Sequence, residues 1–309
     1  MKYCYTPGNF REKSLNLIEE VNDVIDWFNA DNYTPTLRAL YYQLVTKNII
    51  ENNMKSYNSI KGLVTKGRLA GLISWHGIAD ETRSCITPYI QGDIEYVLDG
   101  IDDMYRPDLN EGQENYIEVW VEKNALVNVI KRAANPWRVG YMACKGYLSA
   151  SAAWNASQRF IDAENEGKRC HLIHLGDHDP SGIDMTRDND ERMQIFEANV
   201  EIHRVALNMD QVEEHNLPNN PAKMTDSRVG QYLELYGESS WELDALEPKQ
   251  IVRLIDDKIR TLVDVDLFNE QLAKRTEDRK DLAYIGNHVR ETLEWARNER
   301  EFDDEYGDE

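Results

Sequence analysis

Apolar residues recur at helical spacing near the start of the chain. Between Ser14 and Ala30 they return every three or four positions, which predicts an amphipathic helix. The sequence Asn32–Pro35 interrupts this stripe. Thr34 has a side chain suited to an N-cap, and Pro35 suits a first helical turn, so a second helix is predicted from Pro35 to Lys47.

A third helix is predicted from Lys55 to Ala70, and the strand-like stretch Gly71–Trp75 follows it. Three helices followed by a strand hairpin resemble a winged-helix or helix-turn-helix module, whose later helix usually enters the DNA groove. We therefore expect an N-terminal, mostly helical winged-helix domain over residues 1–90.

From about residue 115 the pattern alternates between short apolar runs and amphipathic stretches. This alternation is typical of an α/β fold with a parallel sheet covered by helices. The predicted strands are 116–121, 138–143, 170–175 and 201–207, the helices between them are 125–134, 149–164 and 182–198, and later helices are 248–263 and 267–297.

These patterns divide the chain into four parts. Residues 91–114 form a linker rich in Gly and Asp, and 115–298 form the sheet domain with a helical C-terminal extension. Residues 299–309 form an acidic tail, for which we expect a solvated, disordered end. A DNA-mimicking or autoinhibitory tail is the alternative.

Composition limits the class of protein. The 309 residues are 41% hydrophobic, which suffices for one large or two medium globular domains. No run approaches the roughly 20 apolar residues of a membrane span, and the opening Met1–Cys4 is not typical of a signal peptide, so we expect a cytoplasmic protein with no membrane partner. The four cysteines are scattered and the histidines show no cluster, so neither a zinc site nor a disulfide framework is predicted.

The net charge of -21 is unfavourable for phosphate binding, but its distribution is uneven. From Thr36 to Cys85 seven basic residues stand against three acidic ones, a local net charge of +4. We expect Lys61, Lys66 and Arg68 on the third helix to contact the DNA backbone.

Acidic residues follow two of the predicted strands. Glu122 comes directly after the strand 116–121, and Asp177 and Asp179 follow the strand 170–175. Carboxyl ends of parallel strands are where α/β proteins gather functional groups. Carboxylates without cysteine or histidine ligands nearby suit a hard cation such as Mg²⁺. The alternative is an Asx turn that caps the next helix.

The two acidic motifs resemble those of a known domain. Val121–Ala125 and Gly176–Gly182 together resemble the Glu and D-x-D-x-x-G motifs of the Toprim domain, which topoisomerases, primases and some nucleases share. The resemblance implies a Rossmann-like parallel sheet with magnesium held by the three acidic residues. Lys123, inside the first motif, is counted with the expected DNA contacts.

A third motif indicates a nucleophile. Thr36–Tyr42 resembles the T-x-R-x-x-Y-Y motif in the winged-helix part of the topoisomerase VI A subunit and the related meiotic double-strand-break protein, which cut DNA with the second tyrosine. This implies that Tyr42 attacks. Arg38 and Tyr42 share a helix face, while Tyr41 lies on the apolar stripe, so Arg38 is placed to hold the phosphate and favour the phenolate. The alternative is that Tyr42 only touches DNA.

The likeness extends over roughly Pro35 to Ile259, where Trp241–Leu246 resembles a later acidic helix start of the family. The chain is similar to the short A-subunit-like proteins of bacterial mobile elements and phages. The resemblance implies a homodimer on double-stranded DNA, with the tyrosine of one protomer meeting the metal of the other. No G-x-x-x-x-G-K-[ST] loop is present, so strand passage would require a separate ATPase subunit.

Three functions remain open. The leading hypothesis is magnesium-dependent double-strand cleavage by a type IIB topoisomerase-like enzyme that uses Tyr42. The second is a hydrolytic Toprim nuclease that uses metal alone, with Asp184 or Glu242 as further carboxylates. The third is a non-catalytic DNA-binding module.

Overall fold

The computed structural model describes residue 2 and residues 4–31, 33–79, 94–222 and 229–306. In chain order the helices are α1 (Glu12–Ala30), α2 (Leu37–Thr46), α3 (Met54–Leu69), α4 (Ile94–Asp99), α5 (Ile101–Met104), α6 (Val127–Ala134), α7 (Ala150–Asn165), α8 (Pro180–Ile195), α9 (Met209–Glu214), α10 (Val229–Tyr236), α11 (Pro248–Arg260), α12 (Val265–Asn287) and α13 (Val289–Tyr306). The strands are β1 (Asn115–Val121), β2 (Gly140–Ala143), β3 (Arg169–Leu175), β4 (Val200–Ala206), β5 (Asn220–Pro221) and β6 (Ser239–Ser240). Within the described part of the chain, no helix combines the length and apolar character that a membrane crossing requires.

Contacts group the chain into two compact units. One unit combines Met1–Arg83 with Glu114–Leu262, and the other combines Ser84–Gln113 with Val263–Glu309. The predicted boundary between residues 90 and 91, Cys85, and residues 307–309 of the acidic tail lie outside the described residues.

The three predicted N-terminal helices are present as α1, α2 and α3. They bury their apolar stripes against one another, with Val21, Leu40 and Ile60 among the most buried side chains. Full burial of each such side chain contributes about 1.5–3 kcal/mol relative to exposure. The apolar stripe predicted between Ser14 and Ala30 thus corresponds to the buried face of α1, except that Leu15 is exposed.

The predicted start of α2 is wrong. The helix begins at Leu37, and its N-cap is Thr36, whose side-chain oxygen accepts a hydrogen bond from the Ala39 N–H at 3.2 Å. The reason is a distant contact, because the Pro35 carbonyl accepts from the Ala79 N–H at 2.9 Å. Thr36 itself has an extended backbone, with a φ of −73° and a ψ of 164°.

The predicted strand at 71–75 is also wrong. Gly71 has a φ of +74°, which turns the chain immediately after α3. The N–H groups of Leu72 and Ile73 then donate to the Gly67 carbonyl at 2.8 and 3.2 Å. Because these donors bond to the end of α3, they are not engaged in a strand ladder. The winged-helix assignment consequently remains a proposal.

The four longer predicted strands are present and form one parallel sheet in the order β2-β1-β3-β4. The chain leaves β1 towards β2 on one side and later returns to β3 on the other side. Strand order therefore reverses between β1 and β3, and crevices at such reversals are where α/β proteins bind ligands. The fold is thus mixed α/β.

Helices cover both faces of this sheet. On one face α7 and α8 pack against a core that includes Trp120, Phe160 and Leu172. On the other face α6 and α11 pack together, burying residues such as Ile130 and Ile255. With both faces covered, the ends of the strands are the places left for polar chemistry.

The second unit is helical and contains α4, α5, α12 and α13. The Arg279 guanidinium donates to Asp102 at 3.1 Å, and the Tyr105 hydroxyl donates to Asp278 at 2.7 Å. Part of the segment expected as a linker therefore forms short helices paired with α12. The last helix, α13, continues to Tyr306, beyond residue 299, where we expected the start of disorder.

The N-cap assignment can be tested by mutation. Thr36→Ala removes the side-chain acceptor for the first turn of α2 and should lower the free energy of unfolding by about 1 kcal/mol. Chemical denaturation monitored by circular dichroism measures this effect. Thr34→Ala is the matched control and should change stability by less than about 0.5 kcal/mol. A larger loss for Thr34→Ala than for Thr36→Ala would contradict the assignment.

Candidate functional site

The acidic motifs lie together at the point where strand order reverses. Val121 at the end of β1 pairs in register with Leu175 at the end of β3. The residues that follow are consequently neighbours, and the Asp177 N–H donates to the Glu122 Oε2 at 3.0 Å. Strand pairing thus brings the Glu122 carboxylate against the backbone of Asp177.

Asp179 has a structural role in addition to any chemical one. It is the N-cap of α8, and its Oδ1 accepts from the Gly182 N–H at 2.6 Å and the Ser181 hydroxyl at 2.8 Å. Asp177 is different, because its Oδ1 accepts from the Leu243 N–H at 2.8 Å, on another segment. The capping interpretation therefore describes Asp179 but does not account for Asp177.

Lys123 lies inside the acidic cleft. Its ammonium group is 2.7 Å from Asp177 Oδ1 and 3.4 Å from Asp244 Oδ2, and it also forms an ion pair with Glu242. Burial alone would lower the pKa of Lys123, but the surrounding carboxylates outweigh this effect and raise it. Lys123, expected as a DNA contact, is therefore first an internal counterion.

Two residues of the cleft were not predicted as site residues. Asp244 is 3% exposed, and its Oδ1 has no hydrogen-bond partner among the described residues. The second is Arg204 on β4. Its guanidinium donates to the carbonyl oxygens of Asp177 at 2.7 Å and Gly182 at 2.9 Å. The two acidic residues Glu242 and Asp244, two positions apart, could have indicated a further part of the acidic site. Nothing in the local sequence distinguishes Arg204 from other arginines.

Arg204 is a cation placed behind the loop that carries the acidic motif. Burial lowers its pKa to about 10, although the charges of Glu122, Asp177 and Asp179 favour its protonated form. It therefore remains positively charged at neutral pH. Because its donors bond to backbone carbonyls, it positions the loop while leaving the carboxylate oxygens to other partners.

The cleft carries more negative than positive charge. Among the described residues, the carboxylates grouped there are Glu122, Asp177, Asp179, Glu242 and Asp244, and the cations are Lys123, Arg204 and Arg38. Burial raises the pKa of Glu122 and of Asp177, and neighbouring carboxylates raise both further, against the opposing effect of Lys123. With all five carboxylates ionised, the cleft holds two more negative than positive charges, and this excess, together with the unpaired Asp244 Oδ1, fits a divalent cation bound through oxygen ligands.

Tyr42 faces this cleft from α2. A cavity of about 520 Å³ is lined by Arg38, Tyr42, Asp177, Asp179 and Glu242, together with other residues of the same chain. Tyr42 is 5% exposed. Burial raises its pKa to about 12, and the charge of Glu242 contributes in the same direction.

Three neighbours oppose this rise in the pKa of Tyr42. They are the Asn220 amide, whose Nδ2 lies 3.5 Å from the Tyr42 hydroxyl, and the charges of Arg38 and Lys123. Arg38 is exposed at the rim. Partial burial lowers its pKa, but Glu242 and the other nearby acids outweigh that effect, so the pKa is raised and the guanidinium stays charged.

Tyr41 is held differently. Its hydroxyl lies 3.0 Å from the Asn52 Oδ1 and 3.2 Å from the Asn53 carbonyl oxygen, at the start of α3. The Asn52 amide in turn donates to the Asn219 carbonyl at 2.9 Å. Both tyrosines line the cavity. They differ in their partners, since the Tyr41 hydroxyl bonds to the α2–α3 loop, whereas the Tyr42 hydroxyl lies near Asn220 and is influenced by the charges of Glu242, Arg38 and Lys123.

The basic residues predicted on α3 are not part of the cleft. Lys61 and Lys66 are exposed on the helix. The Arg68 guanidinium donates to the carbonyl oxygens of Trp75 at 3.0 Å and Ile78 at 2.6 Å, which fastens the segment after α3. The two lysines face solvent, and Arg68 has a structural role.

Comparison with known proteins gives no family. No protein-family model matches the chain, and no curated protein matches it. The class is therefore the one that fold and site define, a mixed α/β protein with an acidic cleft at the carboxyl edge of a four-stranded parallel sheet.

The tight packing of the acidic loop yields a prediction. A Cβ at Gly182 would lie 2.3 Å from the Asp177 carbonyl oxygen, so Gly182→Ala should displace the loop and destabilise the fold by about 3 kcal/mol. Gly62→Ala, on the exposed face of α3 with open space around it, is the matched control and should be neutral or stabilising by up to about 1 kcal/mol. Thermal and chemical denaturation compare them. Equal stability of the two variants would show that the loop tolerates a side chain at residue 182.

Proposed function

We propose that this protein cleaves double-stranded DNA with magnesium, through attack of Tyr42 on a backbone phosphate, in the manner of a topoisomerase VI A subunit. One observation carries the proposal: Tyr42 and Arg38 line the same cavity as the carboxylates of Asp177, Asp179 and Glu242. A nucleophile, a phosphate-binding cation and metal ligands thus face a common space, as phosphoryl transfer requires.

The carboxylates would hold the metal. Glu122, Asp177 and Asp179 are the primary ligands that we propose, with Glu242 and Asp244 adding negative charge to the same cleft. A bound magnesium ion supplies electrostatic stabilisation of the phosphate oxygens. Lys123 lies between Asp177 and Glu242, and its positive charge acts to lower the pKa of each; the net pKa of Glu242 is lowered, whereas burial leaves that of Asp177 raised.

The protein residues then divide the chemistry. Arg38 binds the non-bridging phosphate oxygens, for which its planar guanidinium is well shaped. The Tyr42 Oη forms a bond to phosphorus, the bond from phosphorus to one deoxyribose oxygen breaks, and that oxygen gains a proton. The Tyr42 hydroxyl must lose its proton for this attack, and Glu242 is the acid whose charge most opposes that loss. If a bound cation neutralises the charge of Glu242, the remaining charges near Tyr42 are those of Arg38 and Lys123. Both lower the pKa of Tyr42 and so favour its phenolate.

The proposal extends to partners. One centre cuts one strand, so a double-strand break requires two chains, and we propose a homodimer on DNA. Lys61 and Lys66 are exposed on α3 and would bind the DNA backbone without reading sequence. Strand passage would need a separate ATPase subunit, and we propose a cytoplasmic location.

A second candidate is a hydrolytic nuclease that uses metal alone. The observation that favours it is the presence of Glu242 and Asp244 beside the three predicted ligands, because a second ion would need such carboxylates. Asp184, the other acid considered for this purpose, instead accepts from the Tyr147 hydroxyl at 2.7 Å.

Substitution of each tyrosine separates the two mechanisms. Tyr42→Phe should reduce magnesium-dependent cutting of supercoiled plasmid by about 100-fold or more, and should abolish the protein–DNA adduct, because the attacking oxygen is gone. Tyr41→Phe is the matched control and should retain cutting within about fivefold, since its hydroxyl bonds to the α2–α3 loop.

Gel electrophoresis with and without protease digestion measures both products. Undiminished cutting by Tyr42→Phe, with no adduct in the wild type, would replace the tyrosine mechanism with hydrolysis. Asp177→Asn should abolish cutting under either mechanism, so cutting by this variant would contradict the metal-dependent proposal as a whole.

A further inference from the structure

Two histidines and a glutamate, residue types that can bind a metal ion, lie together near the start of the strands, at the opposite end of the sheet from the acidic cleft. His171 lies on β3, and Glu201 and His203 lie on the adjacent strand β4. Cys170 and Leu172 face the core beneath α7, so His171 between them points to the other face. His171 lies four residue steps before the end of β3 at Leu175, about 13 Å at 3.3 Å per residue, and Asp177 follows two residues later.

The three side chains converge on one point. His171 Nδ1 lies 3.1 Å from His203 Nε2 and 3.4 Å from a carboxylate oxygen of Glu201, and His203 Nε2 lies 3.6 Å from the other oxygen of Glu201. Ligand atoms at about 2.0–2.1 Å from a tetrahedral zinc ion are about 3.3 Å apart. The spacing of these atoms therefore matches the edges of a zinc coordination sphere.

A neighbouring amide fixes the ring of His171, the more buried of the two histidines in the cluster. The Asn115 Nδ2 donates to the Leu262 carbonyl at 2.6 Å, which leaves the Asn115 Oδ1 as an acceptor 3.1 Å from His171 Nε2. His171 consequently carries its proton on Nε2 and presents the Nδ1 lone pair to the cluster. Metal-binding histidines are commonly held in this way, with the second ring nitrogen donating to an oxygen.

The alternative explanation is a simple hydrogen bond between the two imidazoles. In that arrangement His203 would donate from Nε2 to His171 Nδ1, using the nitrogens that a metal would otherwise bind. The carboxylate of Glu201 lies against both nitrogens, which an imidazole pair alone does not require. Positive charges on Lys258 and Arg169 also act on His171, so the negative charge of Glu201 matters for holding a cation there.

We propose that His171, Glu201 and His203 bind a borderline transition-metal ion, with Zn²⁺ the best match, at a site separate from the acidic cleft and independent of the proposed DNA cleavage. Two imidazoles and a carboxylate are a known zinc ligand set, which leaves a fourth position for water. Because β4 lies at the edge of the sheet, the ion joins this strand to β3.

Zinc titration of the full-length chain without a histidine tag tests this site. Calorimetry is run in excess Mg²⁺, so that carboxylate sites are occupied, and in a Cys4→Ser background, which removes an exposed thiol. We expect one zinc ion per chain, with X-ray absorption reporting two imidazole ligands and no sulfur. Thermal unfolding should shift to higher temperature when zinc is added.

Variants connect the binding to the cluster. His203→Ala should weaken zinc binding by at least about tenfold, and Asn115→Ala, which releases His171, by about 10- to 100-fold. His76→Ala, an exposed histidine elsewhere in the chain, is the matched control and should bind as the wild type does. Circular dichroism confirms that each variant is folded.

Equal zinc affinity of the wild type and His203→Ala, or a bound ion without imidazole ligands, would overturn the proposal and leave a hydrogen-bonded histidine pair.

Discussion

The structure depends on the confinement of several carboxylates at one edge of a parallel sheet. Carboxylates in a buried cleft are costly unless cations compensate them. Lys123 compensates them from within, and Arg204 does so from behind the loop that carries Asp177 and Asp179. The register of β1 and β3 brings Glu122 to the same place, so the negative charge is a property of the fold and not of one loop.

This confinement links the tyrosine to the acidic motifs. Glu242 lies beside Lys123 and, through its charge, influences both Arg38 and Tyr42. Loss of the negative charge of Glu242 would therefore lower the pKa of Tyr42. Tyr42 and Asp177 line a common cavity, and the arrangement that the resemblance implies, with the tyrosine of one subunit at the metal of its partner, stays a prediction.

Local patterns in the sequence predicted much of the fold. Apolar spacing identified α1 and the parallel strands, because burial imposes periods of 3.6 and 2 residues on helices and strands. The positions of Glu122 and Asp177 after their strands followed from the same periodicity, since parallel strands end at one edge of the sheet. Nothing beyond local sequence was needed for either.

The features that sequence reasoning missed depend on contacts between distant segments. The N-cap of α2 is Thr36 because Ala79 bonds to the preceding residue, and that pairing has no local signal. Arg204 reaches carbonyls on the acidic loop more than twenty residues away. His171 and His203 are likewise separated in sequence and come together only because β3 pairs with β4. The scattered histidines of the sequence therefore gave no local signal of this proximity.

Magnesium binding is the property on which the account stands. Calorimetric titration of the wild type should show magnesium binding, accompanied by proton release, because burial raises the pKa of Glu122 and Asp177 and a metal ion requires both ionised. Two buffers of different ionisation enthalpy report the released protons. Glu122→Gln and Asp177→Asn should each weaken the binding by at least about tenfold. If the wild type binds no magnesium, or if both variants bind magnesium as tightly as the wild type does, these carboxylates do not form a magnesium site.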